Sequence, residues 1–148
     1  MHGVTHLALG LIIGKATGDY PVALAGSLLI DVDHLWPAFR DGELFNLKKF
    51  LKRTTSSKDS SRCFFHNIFS WIGLSVLACL IGFHFAWVFS LAYLGHLILD
   101  AIDSSPLFPL FPIKRINITG FINYCSKKEI VFSLLLFLIF IVFNLDLF

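Results

Sequence analysis

Charge is what this chain lacks most. Asp, Glu, Lys and Arg make up 15% of its 148 residues, against about 25% in soluble domains. That leaves too few charged groups to cover a water-soluble fold, and 56% hydrophobic residues with a mean hydropathy of +0.76 stand in their place. The composition predicts an integral membrane protein of single-domain length. Cysteine is also scarce. Residues 63, 79 and 125 form no CxxC pair and no even set, so disulfides are not expected, and Cys79, inside an apolar run, reads as a small buried hydrophobe. A Gly-rich phosphate loop and a GxSxG elbow are both missing, so nucleotide hydrolysis and Ser-His-Asp acyl transfer lack their motifs. The N-terminus has no basic n-region and no small-residue cleavage site, and its apolar stretch is expected to stay in place.

What the chain does have is five apolar segments. Helices are expected over residues 3–17, 21–34, 66–82, 86–103 and 127–146, an all-α membrane bundle forming one domain with loops at 35–65 and 104–126. Asp19 and Pro21 supply the second helix with an N-cap and a first turn, and Ser126 with Glu129 gives the fifth a capping box. As a single helix, residues 67–103 would be about 54 Å long, too long for a hydrocarbon core of about 30 Å. A hairpin near Gly82 to Phe85 is therefore expected. The first two helices are short for a full crossing, which implies tilt or local thinning of the bilayer.

Apart from Lys15, the basic residues fall in two stretches, Arg40 to Arg62 and Ser104 to Lys128. They do not line a helix face beside stacking aromatics, so no nucleic-acid partner is expected. By the positive-inside rule both loops face the cytoplasm, and so does the N-terminus of a protein of the cell membrane.

Against this apolar background, His and Asp recur where ionisable groups are expensive and usually functional. His96 and Asp100 stand four apart on one helix stripe, about 6 Å from each other at the backbone, a common way of presenting two ligands to one ion. Asp103 extends the stripe. Asp31, Asp33 and His34 put two carboxylates and an imidazole within one turn, Asp31 and His34 sharing a face and Asp33 pointing elsewhere. Carboxylates suit hard ions or bridge a metal pair, and imidazole suits zinc and its neighbours. His6 and His66, with His2 one turn before His6, stand at helix starts. In the expected topology all of these meet at the cytoplasmic face, while His84 falls at the opposite turn and is set aside. The competing reading is polar side chains packed between helices. Residues 45–53, with apolar positions 47, 50 and 51 among basic neighbours, suit a segment lying in the headgroup plane. The polar run 54–61 reads as a tether.

Thr5-His6, the run from Gly26 to His34, Arg62 four before His66, and Gly95-His96 to Asp100 followed by Phe108-Pro109-Leu110-Phe111-Pro112 occur in this order. The set resembles the predicted inner-membrane metal-dependent hydrolases of the YdjM and YbcI group, over residues 1 to about 115. That group is considered distantly similar to zinc-dependent phospholipase C. The resemblance implies a metal site acting on phosphoester bonds, with His6, Asp31, Asp33, His34, His66, His96 and Asp100 as its residues. Four positions depart from the pattern: Ser61 stands for a His, Ile30 for a Pro, Asp103 for a Thr and Pro106 for a Gly. Asp103 is a candidate replacement for the missing ligand.

The resulting expectation is a membrane hydrolase holding zinc, or else manganese or magnesium, at the cytoplasmic face and cleaving an ester or phosphoester of a lipid-like substrate. Such an ion lowers the pKa of a bound water to about 7 and polarises a phosphoryl oxygen. Asp33 or Asp103 is the expected general base, and Arg62 or a loop Lys the cation that holds phosphate. The alternatives are a scaffold with a closed shell of four protein ligands, a divalent-ion carrier with ligands near the bilayer midplane, and a lipid-binding module working through residues 45–53.

Overall fold

The computed structural model describes residue 1 and residues 3–34, 39–42 and 64–145. Helix α1, Gly3–Thr17, turns back into α2, Tyr20–Leu28, through a two-residue corner. Gly18 takes φ 77° there, a conformation that costs glycine little. The Asp19 carboxylate then accepts the Val22 N–H at 3.2 Å, and Pro21 sits in the first turn, where its missing N–H has no helical partner to lose.

The segment expected to be one helix over 21–34 divides. α2 ends at Leu28, and Leu29–His34 continue as a 3-10 helix. This winding, three residues to the turn, sets the directions of Asp31 and Asp33. The third apolar segment is also shorter than expected: α3 runs Ile68–Ala78, capped by Asn67, whose side chain accepts the Ser70 N–H at 2.9 Å. Tight turns over Cys79, Leu80 and Ile81 follow, and Gly82 at φ 155°, ψ 154° opens α4, Phe83–Ile102. That backbone region is essentially reserved for glycine, so the hairpin falls just before Gly82 and not after it. The last helix, α5, spans Lys127–Asn144. Its capping box forms as Ser126 accepts the Glu129 N–H, while Glu129 reaches one residue further back, to the Cys125 N–H.

Packing centres on α4, which lies against α1, α2 and α3, with α5 against the outer side of α1. Small residues make this possible. Ala23 and Ala92 are fully buried between α2 and α4, and a Cβ added to Gly26 would stand 2.6 Å from the Phe89 carbonyl oxygen and 2.8 Å from Ala92 Cβ. The two backbones are therefore nearly in contact, the geometry that small residues permit between membrane helices. Ile30, Tyr93 and Leu97 form a second core with Phe65, Trp71 and Leu74.

After Ile102 the chain is irregular but pinned. Leu107 and Ile118 exchange a pair of backbone hydrogen bonds, Gly120 N–H donates to the Asp103 carbonyl at 2.8 Å, and Ile68 N–H donates to the Pro109 carbonyl at 2.9 Å. Among the described residues, α4 is the one helix long and apolar enough to cross a membrane.

Candidate metal centre

His96, on the next-to-last turn of α4, points at the end of α2. Its Nδ1 lies 2.7 Å from the Ser27 carbonyl oxygen. A carbonyl can only accept, so Nδ1 carries the proton, and in the neutral ring Nε2 is left with a bare lone pair. The close approach at Gly26, one residue before Ser27, is what lets that carbonyl reach the ring.

His66 is set the same way from a different side. Its Nδ1 donates to Asp33 Oδ2 at 2.9 Å, and the same oxygen accepts the Phe65 N–H at 3.3 Å. The buried Tyr93 hydroxyl donates to the Phe65 carbonyl, so both backbone groups before His66 are held, one by the 3-10 helix and one by α4. Nε2 of His66 is likewise turned inward, and the two Nε2 atoms stand 3.1 Å apart. Two ring nitrogens at that separation need a positive charge between them, a proton or a metal ion.

Two carboxylates surround the same point. Asp100 Oδ2 lies 3.2 Å from His66 Nε2 and 3.4 Å from His96 Nε2, and Asp31 Oδ1 lies 3.4 Å and 3.6 Å from the same atoms. A tetrahedral ion with bonds of about 2.0–2.1 Å separates its donors by roughly 3.3–3.4 Å. Asp31, His66 and His96 form a triad that fits such an ion, with Asp100 beside both rings, and each imidazole has the partner on its far nitrogen that metal-bound histidines use to fix tautomer and direction. A single proton could bridge only one pair of these atoms. Of the four side chains, those of His66, His96 and Asp100 are buried and only Asp31 reaches the surface, 28% exposed.

Burial opposes a charge on His66, but Asp100, Asp31 and Asp33 together outweigh it and hold the imidazolium well above the ordinary histidine range. Burial also opposes ionisation of Asp31, and the facing imidazoles, His66 first, overcome it and hold that carboxyl below its usual range.

His6 lies behind this cluster. Its ring stacks on His96 with centroids 3.8 Å apart. Among the described residues neither of its nitrogens has a hydrogen-bond partner, and Nε2 approaches Asp100 Oδ1 at 3.4 Å. His6, His96 and Asp100 thus form a second ligand triad overlapping the first. The Met1 amino group meets Asp100 Oδ1 at 2.6 Å and Asp103 Oδ2 at 2.7 Å.

The structure therefore brings together His6, Asp31, Asp33, His66, His96 and Asp100, which arrive from α1, the 3-10 helix, the segment before α3, and α4. Asp31 and Asp33, expected to diverge, instead take the two nitrogens of one ring. Asp103 caps α4, its Oδ1 accepting from the Ser105 N–H at 3.0 Å and hydroxyl at 3.2 Å. His84 stands at the opposite end of α4, beside Asp19. His2, Arg62, the His34 side chain and the stretches 45–53 and 54–61 lie outside the described residues. Sequence reasoning missed the Ser27 carbonyl and the Tyr93 clamp; the glycine at 26 is the one trace the former leaves.

A family model described as the YdjM inner membrane protein matches residues 1–146. No curated protein and no solved structure matches the chain.

Proposed function

We propose that this chain, which belongs to the YdjM inner membrane protein family, is a membrane-embedded helical bundle with a divalent-metal centre at its cytoplasmic end, and that it hydrolyses a phosphoester or ester bond of a lipid-like substrate. The observation that carries the metal centre is the pair of inward-turned Nε2 atoms 3.1 Å apart, both with their other nitrogen committed elsewhere and both faced by Asp31 and Asp100. Support for the bundle comes from its outer faces. Ile72, Val76 and Leu77 on α3, Leu91 and Ile98 on α4, and Leu134 and Leu138 on α5 are all exposed, far more apolar surface than a soluble monomer of this size tolerates.

Zinc, or manganese or magnesium in its place, would supply Lewis-acid chemistry there, acidifying water and polarising an ester oxygen. Asp31, His66, His96 and Asp100 hold the ion, with His6 in reserve against Asp100. Asp33 and the Ser27 carbonyl act through the two imidazoles by fixing their tautomers. The similarity to zinc-dependent phospholipase C, the role of Arg62 in holding phosphate, and the cytoplasmic sidedness inferred from the basic loops belong to the same reading. Neither carboxylate expected as general base is well placed for it, since Asp33 holds His66 and Asp103 holds Ser105. The exposed edge of Asp31 is where water and substrate would reach the cluster.

Metal content of detergent-purified protein, wild type beside a His96→Ala/Asp100→Ala double variant, tests this reading. One or more equivalents in the wild type, lost in a folded variant, are expected. No metal after reconstitution with several divalent ions would overturn it. A second reading, a non-catalytic metal scaffold, is favoured by one observation: four protein side chains, Asp31, His66, His96 and Asp100, gather at one point, the number that closes the shell of a structural zinc site. It predicts bound metal without turnover of any phosphoester lipid. A carrier fits less well, because the two donors that α4 supplies, His96 and Asp100, lie within its last two turns instead of at its middle.

A further inference from the structure

The segment between α4 and α5 gives Leu107 and Ile122 to the core, but neither the core nor the metal centre uses its tip, although the segment is firmly built. Besides the Leu107 and Ile118 pair, the Phe111 N–H donates to the Phe108 carbonyl at 3.1 Å and the Lys114 N–H to the Leu110 carbonyl at 2.9 Å. The segment is tied to the site end of the molecule, since Pro109 holds Ile68, two residues after His66. Yet its tip is turned outward. Ile113 is 71% exposed and Ile116 49%, with exposed Lys114 and Arg115 between them. The Arg115 guanidinium stands 6.0 Å from the centre of the Phe111 ring, close enough for a cation–π contact. From Ser104 to Lys128 the sequence has four basic residues and no acidic one.

We propose that the loop Leu107–Ile118 is an interfacial anchor that seats on anionic phospholipid headgroups of the surrounding bilayer. This inference rests on the membrane reading above and not on the metal. Ile113 and Ile116 are disfavoured in water, and Lys114 and Arg115 are disfavoured in hydrocarbon. Both conditions are met in the headgroup layer, where apolar side chains dip inward and the cations meet lipid phosphate. The apolar surface is continuous with the lipid-facing side of the bundle through Phe121, 77% exposed, and then Ile130 and Val131 at the start of α5. That continuity is why a bilayer is the occupant, and the absence of acidic side chains is why its anionic lipids are.

Two reporters on full-length protein in nanodiscs test this, with Cys63, Cys79 and Cys125 first replaced by Ser. Ile113→Cys carries a fluorophore on the loop tip, and Leu135→Cys carries one on the exposed face of α5. The nanodiscs contain phosphatidylcholine, with or without phosphatidylglycerol. The Ile113 probe is expected to be quenched by headgroup-depth nitroxide lipid, severalfold more with phosphatidylglycerol, and the increment is expected to vanish in Lys114→Glu/Arg115→Glu. An Ile113 probe that is open to aqueous iodide, or whose quenching ignores phosphatidylglycerol, overturns the anchor. If the Leu135 probe is then quenched by acyl-chain nitroxide, the membrane reading stands alone. A Leu135 probe open to iodide overturns both.

Discussion

At the scale of single residues, Asp33 deserves a test of its own because one oxygen serves two donors, His66 Nδ1 and the Phe65 N–H. Asp33→Ala is expected to weaken zinc binding by about 10- to 100-fold, the usual effect of losing an orienting partner, while His84→Ala at the far end leaves it unchanged. Competition against a chelating indicator measures both. The pH dependence follows from His66. Its pKa is raised in the metal-free protein, so its ion pairs stabilise that form fully below the ordinary histidine value and are lost as pH rises through the raised one. A metal needs the neutral ring, so binding must expel this proton. Affinity is expected to increase with pH, with proton release seen by calorimetry in buffers of different ionisation enthalpy. His96 and Asp100 were legible as a pair because helical spacing places them on one stripe. The acceptor on His96 was not, because a backbone carbonyl is present at every position and carries no side-chain signature.

At the scale of elements, the contact between α2 and α4 decides whether the Ser27 carbonyl reaches His96. Gly26→Leu forces a side chain into the Phe89 carbonyl, and overpacking of this kind costs about 1–3 kcal/mol. The expected outcome is a lowered thermal midpoint in detergent together with lost metal. Ser126→Ala, which removes only the α5 cap, is expected to cost about 0.5–2 kcal/mol and to leave metal content intact. The helices themselves could be read from apolar runs and their caps. The 3-10 turn at Leu29–His34 could not, since its apolar pattern is also compatible with an α-helix. The position of the hairpin was legible to within a few residues, because Gly82 marks a backbone conformation other residues avoid.

For the molecule as a whole, the proposed topology of five crossings, with the basic loops apart from the turn near Gly82, predicts an N-terminus inside the cell and the end of α5 outside. An alkaline phosphatase fused after α5 is expected to be active and a fluorescent protein there dark; the reverse pattern would contradict the proposed topology. Composition made membrane character legible at once. How deep each short helix sits was not, because length and hydropathy single out α4 alone and leave α1, α2 and α3 to be placed by their packing against it. The convergence of distant His and Asp residues was visible only as a shared face, since no spacing rule connects Asp31 to His66 or His66 to His96.

Asp31 and Asp33 leave the ribosome long before the rings they meet, and His96 follows Asp33 by more than sixty positions. Until residue 66 has emerged the first hairpin carries two carboxylates at its end without the ring that receives both, and until α4 has emerged it lacks His96, Asp100 and the helix it packs against. It cannot settle early into its final depth, and its charged end has to wait at the bilayer surface. Synthesis past residue 100 would be the event that lets the first two helices finish folding, so a nascent chain arrested before His96 should leave its opening hairpin accessible to protease from the cytoplasm.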